Sequence, residues 1–237
     1  MIREAVNPMP VDSLSESPSS LRVTQGKPSG WLRFGFWVCT VIAAAVALRR
    51  LFAIIHPPRN VPAQLAALDA FFVSHPGLTL AHILPALAFV CLAPLVVLRG
   101  RASGGVAERL LFPLGGIVGI TAYAMSIHSY GGWPERAAVL FFNSVFLFSL
   151  LCAYRYMRRG EPLMERRWML RAIGILLGIA TTRPVMGVFF ATSRLTHLEP
   201  SQFFGWAFWI GFSINAIVVE WYLRSRAVSP AASETHP

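Results

Sequence analysis

The run Tyr154-Arg155-Tyr156-Met157-Arg158-Arg159-Gly160-Glu161-Pro162-Leu163-Met164-Glu165-Arg166-Arg167-Trp168-Met169-Leu170-Arg171 is a dense basic hinge between two long apolar stretches. Arginine at the centre of a bilayer costs about 2.5–3.5 kcal/mol on insertion scales, so such a cluster must stay in the water and headgroup layer. The stretches on either side of it must then cross the membrane.

The composition agrees, with 55% hydrophobic and 14% charged residues over 237 positions and a mean hydropathy of +0.55. These are too few charges for a soluble domain, and one membrane domain accounts for them. A net charge of +10 would point to nucleic acid if the arginines lay on a soluble face. They cluster instead at the ends of apolar runs, where they anchor helices beside anionic headgroups, so the expected partner is the lipid bilayer and not nucleic acid. Cys39, Cys91 and Cys152 each sit inside an apolar run without Cys-x-x-Cys spacing. Neither a disulfide framework nor a zinc site is indicated, and the three read as buried structural thiols.

A spanning helix needs about 20 mostly apolar residues, and six stretches approach that length. The expected spans are Trp31–Ile55, Leu78–Leu98, a third from Arg109 to near Tyr130, Ala137–Tyr154, Trp168–Phe190 and Gln202–Leu223. Together they predict an all-α, six-span transmembrane helical bundle over 31–223. The Ser- and Pro-rich residues 1–30 read as a disordered, uncleaved cytoplasmic tail, since the first apolar run begins only at Trp31, and residues 224–237 as a second tail. Arg49 and Arg50, near the far end of the first span, are expected to snorkel outward. Ala63–Val73, with Leu65, Leu68 and Phe72 at helical spacing, reads as an interfacial or surface helix. Trp133, Trp168, Trp206, Trp209 and Trp221 lie near span ends, as interfacial belts require. Gly115 and Gly119 in span three, and Gly174 and Gly178 in span five, recur at a spacing that lets helix backbones approach closely, which predicts a contact between those two spans.

An even number of spans puts both termini on one side. Arg99, Arg101, Arg109, the hinge residues Arg155, Arg158, Arg159, Arg166 and Arg167, and Arg224 and Arg226 share that side with the N-terminal tail, against Arg49, Arg50, Arg59, Arg136 and Arg194 opposite. By the positive-inside rule the hinge and both termini are cytoplasmic, and the location expected is a bacterial inner membrane.

Ala153-Tyr154-Arg155 with Arg158-Arg159-Gly160, then Arg166-Arg167-Trp168-Met169-Leu170-Arg171, then Trp209 through Asn215 to Glu220-Trp221, resembles the bacterial predicted-membrane-protein family called domain-of-unknown-function family 2306, over about residues 78–223. His82 in Ala81-His82-Ile83 matches that family's early membrane histidine. The resemblance implies a fold and a membrane location without an activity. The chain departs from the family in having Glu165 where a histidine is usual, and no histidine between Arg101 and Arg109.

Ionisable residues inside spans must find partners. Arg171 near the start of span five and Glu220 near the end of span six fall at one depth on antiparallel neighbours, which predicts a structural ion pair. Toward the opposite side stand His82, His128, Asn143, Thr182 and Arg183, with Pro85 and Pro184 freeing the carbonyls of Ala81 and Ala180. This set reads as an outer-side polar pocket for a small anionic or quinone-like ligand, against the plainer reading of polar packing.

No spaced carboxylate pair, nucleophile with a base, or phosphate loop is present. The expected function is therefore that of a non-enzymatic accessory or small-molecule-binding membrane protein without a cofactor or metal. The alternative is a redox protein carrying one b-type haem between His82 and His128. A small-molecule transporter stands third; it predicts discontinuous helices and internal repeats, and no repeat relates the two halves.

Overall fold

The computed structural model describes residues 30–56, 73–98 and 105–225, and every regular element among them is a helix. In chain order these are α1 (Gly30–Ile55), α2 (Pro76–Leu98), α3 (Val106–Ser126), α4 (Gly132–Arg159), α5 (Pro162–Leu176), α6 (Gly178–Thr196) and α7 (Pro200–Ser225). They supply six spans long and apolar enough to cross a membrane, α5 and α6 forming one of them between Pro162 and Ser193. The chain is a multi-pass membrane protein. Both tails, Arg99, Arg101 and all of Ala63–Val73 except Val73 lie outside the described residues.

The basic hinge is a tight helical hairpin. α4 runs on through Arg159, and Gly160 then takes the left-handed conformation (φ 72°, ψ 28°) that a residue without Cβ adopts most cheaply. The amides of Gly160 and Glu161 donate to Met157 and Tyr156 carbonyls, closing the helix end, and Pro162 opens α5 at a position where no amide is needed. Arg155, Arg158 and Arg159 are exposed, whereas Arg166 and Arg167 are partly buried. Arg166 also reaches across to cap α2, donating to the Val97 carbonyl at 2.9 Å.

Helix contacts close a ring: α1 packs on α2, α2 on α3, α3 on α4, α4 on α7, α7 on α6, and α6 back on α1. Inside the hinge end of that ring sits α5, against α4, α7 and α2. Phe89, Leu111, Met169, Ile173 and Phe203 are almost fully enclosed there and along the seams.

Span five differs from a single continuous helix. It breaks at Leu177, where the Ala180 amide donates to the Leu177 carbonyl at 2.9 Å in a tightened three-residue turn. Gly178 offers no side chain to stiffen this point, and Pro184 removes the amide that the Ala180 carbonyl would otherwise receive. Asn215 of α7 supports the break: its amide donates to the Gly174 carbonyl at 3.1 Å, while its Oδ1 accepts from Thr181 at 2.6 Å. The two halves thus take different places, α5 inside the bundle and α6 in its wall.

Several expectations need correction. The glycine pairs do not meet one another. A Cβ on Gly115 would run into Leu150 and one on Gly119 into Leu147, both on α4, while Gly174 and Gly178 face Val219 and Phe212 of α7. The small residues serve sequence-adjacent helices and the α5–α6/α7 seam. Arg50 does not snorkel: it is 7% exposed and points inward, although Arg49 is exposed. Trp133, Trp206 and Trp221 face outward, but Trp209 donates its indole N–H to the Pro134 carbonyl and packs on Phe141 and Phe142, and Trp168 lies under Arg171 at 4.5 Å. Cys91 is exposed and Cys39 and Cys152 are partly buried, so the thiols are not core residues.

Candidate functional site

Before the break at Leu177 the ring is filled by α5, and beyond it Ile179 and Arg183 of α6 stand in the wall. A cavity of about 250 Å³ lies in the end of the bundle away from the hinge. Ile175 and Leu176 of α5 lie at its hinge-side limit, and Phe142, Phe146, Phe208 and Phe212 give it aromatic walls from α4 and α7. Seven polar side chains line this apolar space: Arg50, His82, Ser126, His128, Glu135, Asn143 and Arg183.

Arg183 stands on α6, six residues beyond the break at Leu177. Its Nε is enclosed and has no hydrogen-bond partner, and Nη1 touches only the Met186 sulfur at 3.8 Å. Arg50 and Arg49 of α1 lie within electrostatic range of it. Arg50 is carried inward by a stripe of small residues, since Ala43, Val46, Ala47 and Arg50 follow helical spacing and all line the cavity.

His82 on α2 bonds through Nδ1 to the Thr121 hydroxyl at 3.0 Å. That hydroxyl gives its own proton to the Ile117 or Val118 carbonyl, at 2.7 and 3.1 Å, so its oxygen accepts and His82 carries the proton on Nδ1. The ring also bonds to the Val118 backbone and lines the cavity. Asn143 on α4 donates to the Gly119 carbonyl at 2.9 Å, keeping its amide oxygen for other partners. Glu135, in the first turn of α4, accepts the Gly131 amide at 2.6 Å and so caps its own helix, where a carboxylate is favoured.

His128 lies beyond the end of α3, and its ring packs on that of His75, with centroids 4.5 Å apart. α2 and α3 are thus antiparallel with His82 opposite Thr121 and His75 opposite His128. Seven residues separate the two levels, about 10 Å of helix rise. An iron between two imidazoles would need their nitrogens about 4 Å apart. His82 and His128 therefore share a cavity but do not face each other across a haem, and the residues present do not fit that group. Among the described residues no group of three or more His, Cys, Asp or Glu side chains could hold a metal ion.

Of the five residues expected at this end, His82, His128, Asn143 and Arg183 line one cavity. Thr182 does not. It is wholly buried in the α6–α7 seam, where its hydroxyl donates to the Ile179 carbonyl at 2.7 Å and Gly211 packs against its backbone. Arg50 and Glu135 were not anticipated. The signal for Arg50 is the small-residue stripe; Glu135 falls before the apolar run of span four, behind a Gly-Gly-Trp-Pro stretch that reads as a turn but already belongs to the helix from Gly132.

At the hinge end, Arg171 donates from Nε to Glu220 at 3.0 Å, and Arg224 donates to the other carboxylate oxygen at 2.9 Å. Arg171 also covers the Trp168 ring, which occupies one face of its guanidinium while Glu220 holds its edge. No family model, curated protein or solved structure matches this chain.

Proposed function

We propose that this protein binds a small molecule in the cavity between its helices and works without catalysis of its own, as an accessory or carrier subunit in a bacterial inner membrane. The observation that carries the reading is the cavity itself: an apolar, aromatic-walled space that receives a few convergent polar groups, one of them a guanidinium whose Nε has no partner. Ligand sites in helical membrane proteins have this make-up, and a polar group held in the membrane without a partner is costly unless a ligand supplies one. The hinge arginines support a cytoplasmic location for that end and for both termini, which puts the cavity in the outer half of the bilayer. The basic hinge and His82 also support membership of domain-of-unknown-function family 2306.

The test is a thermal-shift screen of purified protein in nanodiscs against anionic, neutral and quinone compounds, run in parallel on Ala86→Trp, which fills the cavity from α2. A binding compound at a hundredfold its Kd stabilises the fold by about 2.7 kcal/mol. Compounds that raise the melting temperature of the wild type and leave Ala86→Trp unmoved are expected. A screen in which no compound separates the two proteins rejects the reading.

A further inference from the structure

The cavity's contents narrow the ligand class, an inference that rests on the small-molecule reading above. We infer that the cavity takes a small organic monocarboxylate with an aromatic or compact apolar body, and that Arg183 is the residue that holds its carboxylate. Arg183 lines the cavity with Nη1 on the Met186 sulfur and an enclosed Nε that has no hydrogen-bond partner, and a guanidinium is the group best suited to grip a carboxylate through parallel hydrogen bonds. Arg50 and Arg49 add positive potential at the same place. Glu135, the acidic residue of the lining, holds the Gly131 amide and makes no ion pair with Arg183. A neutral ligand would leave the Arg183 charge uncompensated in a low-dielectric space, whereas an anion neutralises it.

Size and walls complete the description. At the ~30 Å³ that a water molecule occupies in the liquid, about 250 Å³ holds on the order of eight to ten non-hydrogen atoms. Phe142, Phe146, Phe208 and Phe212 favour an aromatic ring, which stacks or meets them edge-on.

Benzoate and its neutral isostere benzamide are the probes, measured by titration calorimetry against the full chain in nanodiscs. Benzoate is expected to bind saturably and at least tenfold more tightly than benzamide. Arg183→Gln should weaken benzoate at least tenfold and leave benzamide within twofold, Arg183→Lys should keep part of the preference, and Ala86→Trp should abolish binding of both. Equal binding of the two probes, unchanged by Arg183→Gln yet lost in Ala86→Trp, overturns the carboxylate assignment and leaves a small-molecule site standing. Absence of benzoate binding to folded wild type, with phosphatidylglycerol retained through purification by the wild type and lost by Arg183→Gln, overturns it in favour of a lipid headgroup. Absence of both probes and of that lipid difference overturns it outright, and the thermal-shift screen then decides the broader reading separately.

Discussion

Asn215 joins the broken span to its neighbour, and its removal has a calculable cost. Replacing it with leucine deletes the bond to the Gly174 carbonyl at 3.1 Å and the bond from Thr181 at 2.6 Å. Hydrogen bonds between membrane helices average about 0.6 kcal/mol in double-mutant cycles and reach about 1.7 kcal/mol. The buried carbonyl at Gly174 also loses this partner, and an unsatisfied buried group costs about 1–3 kcal/mol. Thr181 recovers part of its loss by turning to a carbonyl on its own helix, as Thr192 does with Val188. Asn215→Leu should therefore destabilise the bundle by about 2–3 kcal/mol, Thr181→Val by less than about 1 kcal/mol, and the pair by less than the sum, with a coupling of about 0.6–1.7 kcal/mol. Reversible unfolding in mixed micelles, or steric trapping in bicelles, measures all four corners of the cycle. Full additivity, or an Asn215→Leu variant as stable as the wild type, would refute the claim that this side chain holds the break.

Glycine substitutions should split sharply by neighbourhood. A Cβ on Gly205 would meet the backbone of Pro134 and Glu135, which cannot yield, so Gly205→Ala is expected to cost at least about 2 kcal/mol, while Gly116, with nothing within 4 Å, should accept alanine with no loss and a gain of up to about 1 kcal/mol in unfolding experiments. Glu220→Gln removes a pair whose side chains are 21% and 35% accessible, so a loss of no more than about 1 kcal/mol, shrinking in high salt, is expected in the same assay. A reporter fused after Arg159 should read as cytoplasmic and one after Glu199 as periplasmic; a periplasmic signal at Arg159 contradicts the orientation.

Span existence was legible because about twenty apolar residues between charged ends have few other uses, and the Arg171–Glu220 contact because depth along antiparallel helices follows from rise per residue alone. Rotation about the helix axis was harder to read. Arg50 counts as interfacial from its distance to the end of the first span, and only the alanines one and two turns before it show that it faces inward. The third span was expected to reach Tyr130 and so to contain His128, but the helix ends at Ser126. The break in span five was not legible because Gly174, Gly178 and Pro184 are each tolerated in a continuous helix, and what combines them is Asn215, thirty-one residues beyond the proline.

That break also constrains the order in which the chain can be assembled. α5 has 15 residues, a length of about 22 Å, less than the roughly 30 Å of hydrocarbon it would have to cross alone. The two halves therefore cross the bilayer together as one span, the fifth of the six. Asn215 is delivered only with the last span, so its two bonds across the break form only once α7 has been made. A chain stopped before α7 would lack both those bonds and the cavity wall made by Phe204, Phe208 and Phe212.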